Sequence, residues 1–137
     1  MAKSAAQLDR EIAQSLGLPP AVLKKWRSKV AAYKRAISKL EAGYSDELFY
    51  AAVRARDALG KMIYEASAHV PYDPAKPAHA SDAIQALERE RKELVSSTWE
   101  QAKERGREAN RRAGEAESKR LREEERNARR PYEWMRR

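Results

Sequence analysis

Seven cations, Lys24, Lys25, Arg27, Lys29, Lys34, Arg35 and Lys39, lie in a run of twenty-nine residues between Glu11 and Glu41 that contains no acidic side chain. The chemistry open to such a run is neutralisation of phosphate, which supplies most of the affinity for nucleic acid, while groove contacts add selectivity. Solvated helix faces mostly mix the two signs, so a run of one sign reads first as a polyanion-binding surface. Lys24, Lys25, Arg27, Lys29, Lys34 and Arg35 are the expected nucleic-acid contacts. A second group ends the chain, where Arg126, Arg129, Arg130, Arg136 and Arg137 surround Tyr132, Trp134 and Met135. Exposed Trp and Met near a terminus either fold back on the core or dock into a partner, and base stacking with phosphate contact is a third use. Tyr132, Trp134, Met135, Arg136 and Arg137 form the expected partner-binding set.

Catalysis finds no support in the residue types. There is no glycine-rich phosphate loop, no nucleophile elbow and no carboxylate pair in an apolar setting. His69 and His79 lie ten residues apart around Tyr72 and Asp73, without i, i+4 spacing or further ligands. They read as loop histidines rather than a metal site. The chain is expected to be non-enzymatic, with no metal and no cofactor.

Composition bounds the class. Of 137 residues, 36% are charged and 7% aromatic, the balance of long exposed helices rather than a thick core. A net charge of +8 and a pI near 9.8 favour polyanions, nucleic acid first and anionic membrane second. Cysteine is absent, which excludes disulfides and thiolate chemistry. No apolar run approaches the roughly 18 residues of a membrane span, and no signal-peptide core opens the chain. The expectation is a soluble cytoplasmic protein without membrane contact.

Four helices are needed to position these groups. The first runs from a Ser4 cap, with Gln7 in capping-box position, through Leu8, Ile12 and Leu16 to Gly17, where a left-handed turn ends it. Pro19-Pro20 suits the first turn of a second helix over about 20–42. Leu23, Trp26, Val30, Tyr33, Ile37 and Leu40 form its heptad seam, with the cations on the rest of the wheel. Gly43-Tyr44 then turns the chain into an antiparallel hairpin with a third helix over about 46–69, capped by Ser45. That helix buries Leu48, Ala52, Ala55, Leu59, Met62 and Ala66. Pro71, Pro74 and Pro77 make 71–80 a stiff extended linker. From Ser81 and Asp82 a long helix runs to about Arg130, where Pro131 stops it. Its seam of Ile84, Leu87, Leu94, Thr98 and Trp99 thins to Ala102, Gly106, Ala109, Ala113 and Ala116. The distal half is expected to fray unless a partner helix packs on this small-residue stripe, because Gly106 and Gly114 offset several i, i+4 ion pairs. The units are 1–70, 71–80, a charged helix over 81–130, and a basic-aromatic tail over 131–137.

The stretch from Arg10-Glu11-Ile12-Ala13 through Trp26 resembles the helix-turn-helix of phage small terminase subunits, transposases and related regulators. Ala13 falls where two helices cross closely and Gly17 at the tight turn, with Ile12, Leu16, Leu18, Leu23 and Trp26 filling the small core. The resemblance implies that the residues from Pro19 to Arg27 enter the major groove, with Lys24, Lys25 and Arg27 on bases or phosphates and Lys29 on the backbone. It also implies a recognition module, a helical oligomerisation region and a partner-docking tail, as in a small terminase subunit or plasmid regulator. The residues alone also fit a plain helical hairpin with a solvated basic face. The function expected is non-enzymatic DNA binding with homo-oligomerisation or partner docking. The alternative is a helical structural or adaptor protein, such as a virion or scaffold component, that binds a protein or nucleic acid without sequence preference.

Overall fold

The computed structural model describes residues 17–78 and 81–133, the last four of them as backbone. Among these the chain is all-α, with α1 (Pro20–Ala42), α2 (Asp46–Ser67) and α3 (Asp82–Glu133). The helix expected from Ser4 lies outside the described residues except for its terminal Gly17, whose φ of 74° is left-handed as expected.

Local chemistry places the helix boundaries. Pro19 is extended, at φ −60° and ψ 142°, and Pro20 opens α1 at a position where a missing N–H costs nothing. Leu23, Trp26, Tyr33, Ile37 and Leu40 are buried, Val30 is half-buried, and Leu18 and Val22 join the same core. Gly43 ends α1 with its N–H on the Leu40 carbonyl at 3.2 Å. Two residues later the Ser45 hydroxyl accepts the Leu48 N–H at 3.1 Å, and Asp46 and Glu47 complement the dipole of the first turn. α2 therefore folds straight back along α1. It buries Ala52, Leu59, Met62, Ile63 and Ala66, with Leu48, Phe49, Val53 and Ala55 partly covered.

α3 completes this core. The Ser81 hydroxyl caps it by accepting the Ile84 N–H at 3.3 Å, and Ala83, Ile84, Leu87, Trp99 and Ala102 are buried. Several bonds tie α1 and its C-terminal turn to α3, three of them at nearly the same sequence offset. Trp26 Nε1 donates to Glu90 at 3.0 Å, Tyr33 meets Thr98 at 2.8 Å, and Asn110 Nδ2 donates to the Tyr44 carbonyl at 2.7 Å. These partners are 64, 65 and 66 residues apart. So steady an offset means that α1 and α3 run parallel, with α2 antiparallel to both in an up-down-up bundle. Thr98 gives its single hydroxyl hydrogen to the Leu94 carbonyl at 2.6 Å, so Tyr33 is the donor to Thr98. Burial holds the Tyr33 hydroxyl above its ordinary pKa, with the Thr98 bond and the Arg56 charge opposing.

α3 closes tightly on the end of α1 at Gly106. A Cβ there would be driven into the carbonyl oxygen of Leu40 and would stand 3.1 Å from the Tyr44 nitrogen. The Gly106 carbonyl accepts the Tyr44 N–H at 3.2 Å. The proximal part of the small-residue stripe is thus used within the chain, because Ala102 and Gly106 let α3 close on the end of α1. Ala113 and Ala116 are exposed.

Two expectations, about the connection and the end of the distal helix, require correction. The 71–80 segment is not a uniformly extended spacer. Asp73 Oδ1 accepts the Ala75 N–H at 2.9 Å, and the Lys76 N–H reaches the Asp73 carbonyl at 3.2 Å, closing a tight turn around Pro74. An Asp before a proline can bend the chain this way even though each proline locally favours extension. α3 also passes through Pro131 to Glu133, since a proline in the last turn forfeits one helical bond without breaking the bonds that precede it. Between these ends α3 is one unbroken helix over Asp82–Glu133. From Arg111 to Arg129 every side chain is exposed, including Leu121, and the segment extends about 28 Å past the bundle at ~1.5 Å per residue. Ion pairs line it, from Glu108 to Arg111 (2.6 Å) and Arg112 (3.3 Å), Glu117 to Arg120 (2.6 Å) and Glu125 to Arg129 (2.6 Å). In each the glutamate is N-terminal, the favourable order.

Candidate nucleic-acid interface

The bundle sorts α1 into two faces. Trp26, Tyr33 and Leu40 are almost fully enclosed, at 1%, 0% and 0% exposure. Lys24, Lys25, Arg27, Lys29, Lys34, Arg35 and Lys39 are all exposed. At about 100° per residue, Lys24, Arg35 and Lys39 fall on the ridge opposite the core, with small Ser28 and Ala31 between them. Arg27 and Lys34 flank the ridge on one side, Lys25 and Lys29 on the other. Lys25 borders a small cleft of about 150 Å³ with Glu65 of α2 and His69 just beyond its end. The six expected contact residues therefore share one exposed surface, although they span most of the outward half of the helix rather than a narrow stripe.

The neighbouring helices qualify the acid-free character of this run. Glu90 of α3 accepts the Trp26 indole N–H beside Arg27, and Glu41 pairs with Arg105 at 3.4 Å. Both carboxylates lie at the edges of the α1 face, not on its ridge. The first turn offers little main-chain binding for an anion. Pro20 has no N–H, and Val22 and Leu23 direct theirs to the Pro19 carbonyl at 3.0 and 3.3 Å. A phosphate at this face is held chiefly by side chains, as charge-assisted bonds from Lys and Arg.

Tyr132 lies on the final turn of α3, while Trp134, Met135, Arg136 and Arg137 lie outside the described residues. His69 is exposed and His79 is outside the described residues. Among those described, no group of three or more His, Asp or Glu side chains is arranged to hold a metal ion, and no helix is long and apolar enough to cross a membrane.

The structure also reveals cations that the sequence did not single out. Arg56 of α2 and Arg89, Arg91 and Lys92 of α3 line a groove of about 550 Å³ between the two helices. The Arg56 guanidinium lies 4.2 Å from the centre of the Trp99 ring, whose other neighbours include Phe49 at 5.8 Å and Lys103 at 5.8 Å. The 4-3-4 spacing of Gln85, Arg89, Lys92 and Ser96 marked one line along α3, but nothing local indicated that α2 would form the opposite wall. Comparisons with protein families, with curated proteins and with solved structures return no match.

Proposed function

We propose that this protein is a non-enzymatic DNA-binding protein that holds the duplex against the outer face of α1. In this reading it oligomerises or docks a protein partner through its C-terminal helix and tail, in the manner of a small terminase subunit or plasmid regulator. The observation that carries the proposal is the division of α1 into an enclosed apolar seam and an exposed face with seven cations. The buried Leu18 and the left-handed Gly17 just before α1 agree with the compact turn that a helix-turn-helix needs. Lys24, Lys25 and Arg27, nearest the N-terminus of α1, are assigned to groove or phosphate contacts, and Lys29, Lys34 and Arg35 to the backbone.

The competing reading is an adaptor that binds nucleic acid or an acidic protein without sequence preference. It is favoured by the flanking of α1 by both neighbours, which restricts how deeply the helix can enter a groove about 12 Å wide. Fluorescence anisotropy with a random-sequence duplex pool at two ionic strengths, followed by selection from that pool, separates the two. Sequence-specific binding enriches a motif, and Lys24→Glu with Lys25→Glu abolishes binding while helicity is retained. A pool that never enriches, with affinity collapsing uniformly as salt rises, rejects the sequence-specific reading.

A further inference from the structure

We infer that the α2/α3 groove is a second site for the sugar–phosphate backbone of nucleic acid, so that one molecule bridges two duplex segments. This rests on the assignment of α1 as the first such site. The groove's carboxylates are already engaged. Glu88 accepts Arg91 at 2.9 Å, and Asp57 lies 3.8 Å from Arg56 Nε. Arg89 and Lys92 have no ion-pair partner among the described residues, and both are exposed. They are the groove's uncompensated charge. They form a short line of donors on successive turns of α3, about 4.5 Å apart along the helix at ~1.5 Å per residue, with Arg56 facing them from α2. A line of this kind suits a chain of phosphates rather than a single anion.

The lining also argues against other occupants. A docked peptide needs an apolar anchor in a desolvated pocket, and here Val95 is the main apolar side chain while Arg56 covers Trp99. Single-strand binding relies on open aromatic platforms, and no aromatic side chain lines the groove. What remains is backbone recognition by Arg and Lys. The bearing of the groove then matters. α1 turns its seam toward both α2 and α3, so its cationic ridge points away from the groove between them. The two basic surfaces lie on opposite sides of the bundle and cannot grip the same short stretch of duplex.

The test uses the full chain with two short duplexes of unrelated sequence, one carrying a fluorescence donor and one an acceptor. Anisotropy reports binding of either duplex, and energy transfer reports bridging. The wild-type chain is expected to give energy transfer. Arg89→Glu with Lys92→Glu, both at exposed positions, is expected to keep single-duplex binding within about threefold while lowering the bridged signal by about tenfold or more, the scale of losing two phosphate contacts. Circular dichroism confirms that the variant remains folded. Undiminished bridging by that variant overturns the groove, since the two segments would then be held by α1 faces of two copies. Wild-type binding of one duplex without bridging overturns the groove and leaves the α1 assignment standing. Failure to bind any duplex overturns both. Single-duplex binding that is lost in the groove variant yet retained by Lys24→Glu/Lys25→Glu overturns the α1 assignment and the bridge with it.

Discussion

Replacing Gly106 by alanine tests the packing of the bundle with one methyl group. The new Cβ would meet the Leu40 carbonyl oxygen and the Tyr44 nitrogen, both main-chain atoms that cannot swing aside as a side chain would. α3 must therefore move off the end of α1, stretching the 3.2 Å bond from the Tyr44 N–H to the Gly106 carbonyl. Overpacking of this kind costs about 1–3 kcal/mol, and the weakened bond adds about 0.5–1.5 kcal/mol. Alanine offsets about 0.8–1 kcal/mol through its higher helix propensity. The net expectation is a loss of about 1–3 kcal/mol, a fall in melting temperature of roughly 3–10 °C. Gly114 supplies the control, because a Cβ there has nothing within 4 Å. Gly114→Ala should raise helical ellipticity by the propensity gain alone and leave the midpoint of the core transition unchanged. Urea and thermal unfolding followed by far-UV circular dichroism measure both variants. A Gly106→Ala protein as stable as wild type, or more so, refutes the close crossing of α3 on the end of α1.

Two further perturbations address other links. Tyr33→Phe removes the donor to Thr98 but leaves Thr98 bonded to the Leu94 carbonyl, so it should cost about 0.5–1.5 kcal/mol in urea unfolding; a larger loss would mean that the Tyr33 hydroxyl has a structural role beyond this bond. The distal helix should lose ellipticity in acid. The hydrogen bond from Arg111, aided by the charges of Arg111 and Arg112, holds the Glu108 carboxyl below the ordinary glutamate pKa. A depressed folded-state pKa means that its support is present above the ordinary value and lost as pH falls through the lowered one. Glu108→Gln should flatten this part of the profile, and an unchanged acid profile in that variant would count against the assignment.

Most of the helix boundaries were legible because their determinants are local. The α1 seam from Leu23 to Leu40 repeats at helical spacing, Ser45 and Ser81 sit at cap positions, and Pro20 and Gly43 delimit α1. Periodicity identifies which face is buried, not what covers it. The contacts of Trp26 with Glu90 and Tyr33 with Thr98 join residues more than sixty positions apart, and no single-helix pattern encodes them. Gly106 shows the limit most clearly, since a stripe of small residues can face a second molecule or the same chain. For the candidate site, the exposure of Lys24 through Arg35 followed from their places opposite the seam. The groove cations Arg89 and Lys92 did not, because their meaning depends on Arg56 arriving from another helix. The Asp73 turn went unread for a related reason: its bend depends on one carboxylate capturing the Ala75 N–H, against the extended preference of the prolines around it.

The projecting part of α3 also governs how the molecule moves through solvent. A 52-residue helix is about 78 Å long at ~1.5 Å per residue. A compact chain of 137 residues would have a radius of gyration of only about 14 Å. Drag on the rod enlarges the hydrodynamic radius well beyond that of a sphere of equal mass. A single 15.7 kDa chain should therefore elute from a sizing column ahead of globular standards of its own mass, imitating a dimer. Light scattering or sedimentation equilibrium, which weigh the particle independently of its shape, is the measurement that counts its copies.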